Sequence, residues 1–126
     1  MALHINGPLY WEQLGKKGRP IAFLHPIPMD HSSWAYQMAH LSTWFRCIGI
    51  DAPGYGRSPT ADPGLTMMDI AQACWEAVDE ITDEAPNLLG CSLGSALTWH
   101  MANQLAVRFA RLEGLGCRSD PRCAPC

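Results

Sequence analysis

Short apolar runs separated by turn residues mark the first half of the chain. Leu3-His4-Ile5 and the segment Leu9 to Leu14 flank Asn6-Gly7, a dipeptide suited to a tight hairpin turn. Ile21-Ala22-Phe23-Leu24 is continuously apolar after Gly18 and Pro20, the pattern of a strand buried on both faces. His25-Pro26-Ile27-Pro28 follows, and its two prolines end any strand ladder. Trp34, Met38 and Leu41 share one face of a helix, with Ser32 or Ser33 as its expected cap. Phe45 to Ile50 predicts the next strand, which ends at Asp51 and the turn-rich stretch Ala52-Pro53-Gly54-Tyr55-Gly56-Arg57-Ser58.

The second half is more regular. Thr66 with Asp69 forms a capping-box pattern. Met67, Ile70, Ala71, Cys74, Val78 and Ile81 then recur at helical spacing, with Gln72, Glu76, Asp79, Glu80 and Asp83 mostly opposite. Asn87-Leu88-Leu89 predicts a short buried strand broken by Gly90, and a further helix runs from about Leu93 to Asn103 and beyond. The order predicts an α/β protein, an antiparallel entry leading into a mostly parallel sheet flanked by helices.

Composition narrows the partners. The 126 residues are 48% apolar and 17% charged, with a net charge of −3, which suits one globular domain and excludes a disordered chain. No dense basic block is present, so nucleic acid is not an expected partner. No apolar run approaches the roughly 20 residues of a bilayer span, and the N-terminus does not read as a signal peptide. The expected location is the cytoplasm, with no membrane association. Residues 1–103 carry a balance of −5, whereas residues 104–126 carry +2 and hold Cys117, Cys123 and Cys126. Cys47, Cys74 and Cys91 sit among apolar neighbours, where cysteine acts as a small hydrophobe. Cys123 and Cys126 form a single pair with no second pair or histidine, so no metal site is read, and no cofactor is expected.

The sharpest chemical signal is Gly90-Cys91-Ser92-Leu93-Gly94, between a predicted strand and a predicted helix. In that context the glycines relieve crowding at a tight turn that lifts the Ser92 hydroxyl clear of the sheet. The Leu93 N–H opens the following helix, where unpaired donors favour a developing oxyanion. Cys91 lies beside this position, and nothing nearby supplies the electropositive setting a reactive thiol needs.

Taken with His25-Pro26-Ile27-Pro28 and the Asp51–Ser58 loop, in this order and spacing, the motif resembles the α/β-hydrolase fold family from about Leu3 to Asn103. The resemblance implies Ser92 as nucleophile and the Leu93 and Ile27 backbone N–H groups as oxyanion-hole donors. It implies a structural, hydrogen-bonding His25, and a loop of Asp51, Gly54, Gly56 and Ser58 that shapes the pocket floor. The family usually has glycine where this chain has Pro26, which fixes φ and donates no hydrogen bond. Serine at the elbow, where epoxide- and halide-processing members carry aspartate, implies acyl transfer to water from a small ester, thioester, lactone or activated amide. A nucleotide-binding domain is set aside, because no glycine-rich phosphate loop follows Ile21–Leu24.

The family places its acid and histidine after the nucleophile. After Ser92 this chain has only His100, Glu113 and Asp120. Eight positions along a helix is roughly 12 Å, so His100 cannot reach the Ser92 hydroxyl. His31, near the oxyanion loop, is the one upstream histidine that could stand in as base. Leu112-Glu113-Gly114-Leu115 occupies the place of the next strand but is poorly composed for it. Without that strand the elbow strand is an exposed edge, open to self-association. The expectation is therefore a single partial α/β-hydrolase domain over 1–126, with an atypical Arg- and Cys-rich tail from 104, from a truncated or frame-disrupted gene. It is by family a carboxylic ester hydrolase, weak or inactive by itself. The alternative is an inactive fragment or pseudoenzyme that acts as a binding or complementing half.

Overall fold

Side chains alternate across a strand, so a run buried on both faces must feed two cores. In the computed structural model, which describes residues 5–113 with side chains as far as 105, Pro20–Leu24 does this. Call it β2, with β1 at Trp11–Leu14, β3 at Arg46–Ile50 and β4 at Asn87–Gly90. The helices are α1 (Ala35–Leu41), α2 (Met67–Ile81) and α3 (Leu93–Glu113). Ala22 and Leu24, with Ile48 and Ile50 of β3, pack against Trp75 and Val78 of α2 and Leu97 and Met101 of α3. Ile21, Phe23 and Cys47 point the other way, onto Met38 of α1 and the flanking Trp34, Leu41 and Phe45. The result is three layers, with each fully buried aliphatic side chain contributing about 1.5–3 kcal/mol.

The sheet order is β1-β3-β2-β4. β2 lies parallel to β3 (Leu24 opposite Ile50) and parallel to β4 (Leu24 opposite Gly90), while β1 runs antiparallel on β3 from Trp11 opposite Ile50 to Leu14 opposite Cys47. The central strands β2 and β3 are almost wholly buried, and the two edges alternate or stay open, with Leu89 of β4 40% exposed. β4 is therefore a sheet edge among the described residues.

Local chemistry explains the helix ends. Thr66 accepts from Asp69 N–H and Asp69 Oδ2 accepts from Thr66 N–H, closing the capping box at the start of α2. The first helix departs from expectation. A single 3₁₀ turn, His31–Trp34, precedes α1, and its cap is Asp30, which accepts from Ser32 N–H at 2.8 Å, not Ser32 or Ser33. The Asp30 carboxylate, two residues before Ser32, takes the free amide that a cap must satisfy.

The antiparallel entry is present, but it is made on β3. Ile5 bridges Ala61, and Asn6 N–H donates to the Thr60 carbonyl, so among the described residues Ile5 does not fold back on Leu9–Leu14. Leu3 and His4 lie outside the described residues. α3 continues to Glu113, so Leu112 and Glu113 are helical and do not open a strand, while Gly114 and Leu115 lie outside the described residues. Cys117, Asp120, Cys123 and Cys126 lie outside them as well.

One contact ties the two helices on the same face. Trp75, 1% exposed on α2, donates from Nε1 to the Met101 carbonyl of α3 at 3.1 Å. Trp75→Phe should cost about 1–3 kcal/mol, because the Met101 carbonyl is left with a lost partner in a dry site. Replacing the exposed Trp44 by Phe should cost under about 0.5 kcal/mol. Urea unfolding followed by far-UV circular dichroism measures both.

Candidate active site

The turn from β4 to α3 is where the backbone departs from ordinary geometry. Ser92 has φ 55°, the one positive φ outside glycine among the described residues. The left-handed region costs a non-glycine residue roughly 1–2 kcal/mol, and such strain persists only when surrounding packing enforces it. The packing here is close backbone approach. A Cβ on Gly94 would run into the Leu24 carbonyl and stand 3.0 Å from the His25 carbonyl oxygen. One on Gly90 would run into the Gly94 carbonyl. The bend is closed by Gly94 N–H donating to the Cys91 carbonyl at 2.9 Å, and Cys91 N–H reaches the Leu24 carbonyl at 3.4 Å.

Ser92 and Cys91 are both exposed at this bend. Leu93 is the first residue of α3, so its N–H lacks an acceptor within the helix. Cys47 and Cys74 are buried as expected, whereas Cys91 departs from that expectation because the turn carries it to the surface; burial pushes the Cys74 thiol up to about 12.

His25 begins the neighbouring loop and is 1% exposed. Ala52 N–H donates to its Nε2 at 2.9 Å, which leaves Nδ1 to carry the hydrogen and donate to the Pro26 carbonyl at 2.8 Å. Both ring nitrogens are committed, so His25 is a strut. Ile27 is 48% exposed on the same loop, its bond to Pro28 is cis, and Met29 N–H closes a turn onto the Pro26 carbonyl.

Asp51, with no exposed surface, gathers the third loop. Its Oδ1 accepts from His31 N–H and meets His31 Nδ1, both at 2.8 Å, and its Oδ2 accepts from Arg57 N–H at 3.0 Å. Ser58 Oγ donates to its carbonyl. Gly54 N–H closes the loop on the Pro59 carbonyl. The Asp51–Ser58 segment is thus folded around one buried carboxylate.

The structure overturns His31 as a substitute base. Its Nε2 meets Glu12 Oε2 at 2.8 Å and its Nδ1 meets Asp51, so neither nitrogen is free to accept a proton from serine. Sequence reading had no signal for this pair, because Glu12 and His31 are brought together only by the β1–β3 pairing. Partial burial opposes the charged ring, but the hydrogen bonds and charges of Asp51 and Glu12 outweigh it and hold His31 above the ordinary histidine range. The hydrogen bonds from Tyr10 and His31 hold the Glu12 carboxyl below the usual range. His40 meets Trp44 edge-to-face, and His100 stands on α3 eight residues past Ser92. No described histidine is hydrogen-bonded to Ser92.

Asp30, His31 and Asp51 place three ligand-type atoms within 4.8 Å of one another. Asp30 accepts from Ser32 N–H, and Asp51 and His31 serve each other, so the chain's own donors account for this cluster. A groove of about 520 Å³ between Leu9 and α2, lined by Gln72, Ala73 and Glu76, contains none of the elbow residues.

The sequence model of the alpha/beta hydrolase fold matches residues 19–114. The chain belongs to the α/β-hydrolase fold family. It is 36% identical over 108 residues to the AB hydrolase superfamily protein YisY of Bacillus subtilis, covering 84% of this chain and 37% of that protein. It is 31% identical over 117 residues to the pimeloyl-[acyl-carrier protein] methyl ester esterase of Sodalis glossinidius, covering 90% and 42%. Among solved structures, a thermophilic esterase from Thermogutta terrifontis superposes with a TM-score of 0.73 at 26% identity, over 78% of this chain and 36% of that one. The chain thus spans about two-fifths of the length of these relatives. Among the described residues no helix is long and apolar enough to cross a membrane.

Two measurements test the elbow and its surroundings. Ser92→Gly should stabilise the chain by about 1 kcal/mol by relieving the positive φ, whereas Gly94→Ala should destabilise it by about 1–3 kcal/mol through the clash with β2. Both are read from urea midpoints. The His31 contribution follows from a raised folded pKa: it is fully present below an unfolded value of about 6.5 and lost as pH rises through the raised one. Glu12, depressed, contributes above about 4.3 and loses this as pH falls through its folded value. The stability gap between the native chain and His31→Gln should therefore be widest between these limits and shrink toward alkaline pH.

Proposed function

We propose that this chain carries the nucleophile part of a serine hydrolase acting on a small carboxylic ester, thioester or lactone. Ser92 Oγ attacks the acyl carbonyl and the leaving alcohol or thiol departs. Water then hydrolyses the acyl-enzyme. The Leu93 and Ile27 N–H groups receive the charge that develops on the carbonyl oxygen. His25 and Asp51 are structural in this reading, holding the loops that border the pocket.

The observation that carries it is the positive φ of an exposed serine on a strand-to-helix turn whose two glycines each face backbone. Strain of this kind concentrates at functional sites. The likeness to an esterase from Sodalis glossinidius and to one from Thermogutta terrifontis agrees with ester chemistry.

The serine proton needs a base, and His25 and His31 are both committed elsewhere. Turnover therefore requires a histidine and an acid from outside the described residues. The same observation favours the second reading, in which this chain alone is an inactive half that works only when complemented.

A fluorophosphonate probe with mass-spectrometric mapping tests the assignment. The chain alone should label slowly or not at all. Joined to the C-terminal part of a full-length esterase relative, it should label strongly on the Ser92 peptide and hydrolyse an activated ester, and Ser92→Ala should abolish both. Label on another residue, or activity that survives Ser92→Ala, would contradict the proposal. Strong Ser92 labelling of the chain alone would show that a local base exists.

A further inference from the structure

Two histidines moor the loop that carries Ile27, and both moorings end on Asp51-Ala52. At the near end His25 is held by the Ala52 N–H and the Pro26 carbonyl, a neutral attachment. At the far end His31 faces two carboxylates, Asp51 Oδ1 from Nδ1 and Glu12 Oε2 from Nε2, each at 2.8 Å. Carboxylates on both ring nitrogens need two N–H donors, so the ring is an imidazolium. Glu12 and Gly49 are paired across β1 and β3, and His31 sits over that pair. A Cβ on Gly49 would stand 2.9 Å from His31 Cβ, so the missing side chain is what admits the ring.

We infer that the His31 imidazolium is a positioning residue for the Ile27 N–H, because it ties the far end of the Pro26–Asp30 loop to β1 through Glu12 and to the end of β3 through Asp51. The role in catalysis rests on the proposed function of Ile27, but the mooring does not depend on Ser92 chemistry. Among the described residues the charged and titratable groups that face the ring all belong to this tie. Glu12 and Tyr10 come from the β1 side, Tyr10 hydroxyl donating to Glu12 Oε1 at 2.6 Å. Asp51 comes from the end of β3, Asp30 from the turn itself, and Arg57 lies behind Tyr10, its guanidinium 5.3 Å from the centre of the Tyr10 ring. Four of these groups are acidic or hydrogen-bond toward acid, so the cationic ring is the central attraction. On deprotonation the ring keeps one N–H for Asp51, and the His31 backbone N–H still donates to Asp51 Oδ1, so the tie that is lost is the one to Glu12 and the loop is loosened from β1 alone.

Isotope-labelled full chain titrated by NMR from about pH 5 to about pH 9 reads this directly. The His31 ring should titrate above the ordinary histidine value, with the Ile27 and Met29 amide signals moving at the same midpoint. Glu12→Gln should move all three midpoints to lower pH together. Loop amides that stay still while His31 titrates, or a His31 midpoint unchanged by Glu12→Gln, would overturn the inference. Absence of acylation at Ser92 in the joined enzyme would remove the hydrolase reading and leave these titrations intact. Acylation with a still Ile27 amide would remove the positioning role alone.

Discussion

The approach of α3 to the end of β2 sets the geometry of everything near Ser92. Gly94 lies so close to the Leu24 carbonyl that no side chain fits between them, and Gly90 faces the Gly94 carbonyl in the same way. With the backbone confined on both sides, the chain has one way to turn from strand into helix, and residue 92 takes the left-handed conformation that the turn demands. A serine held there is exposed, is followed by the free N–H of a new helix, and adjoins the corner where the His25 loop leaves the sheet.

The chemistry gathers at one end of the sheet because β2, β3 and β4 run parallel and their C-terminal ends coincide. His25, Asp51 and Ser92 each stand just beyond one of these strands. In open α/β sheets that rim is where ligands bind. The buried Asp51 holds two of the three loops. It takes two donors from His31 and one from Arg57, so its charge is compensated by named partners in a site without water access.

Much of this was legible in the residue order, for physical reasons. The continuous run Ile21–Leu24 predicted a strand between two layers, since such a run has no polar face to give to solvent. The capping box at Thr66 fixed the start of α2, and the Gly-x-Ser-x-Gly spacing located the bend. Two of the expectations that failed depend on contacts remote in the chain. Asn6-Gly7 has hairpin chemistry, yet Ile5 finds Ala61 instead. His31 was weighed as a base by its nearness to the loop, and only the pairing of Glu12 with Gly49 reveals that the ring is captured by two carboxylates. Asp30 as helix cap was missed because two serines stood at the expected place.

Among the described residues β4 is an open edge, and the proposed nucleophile Ser92 stands on a strained turn with no base hydrogen-bonded to it. The most direct check is a crystal structure of the phosphonylated enzyme in which this chain is joined to the C-terminal part of a full-length esterase relative. The account predicts phosphorus bonded to Ser92 Oγ at a left-handed residue 92, with the phosphoryl oxygen receiving hydrogen bonds from the Leu93 and Ile27 amides. An adduct whose phosphoryl oxygen meets neither amide, or a residue 92 inside a regular helix, would contradict it.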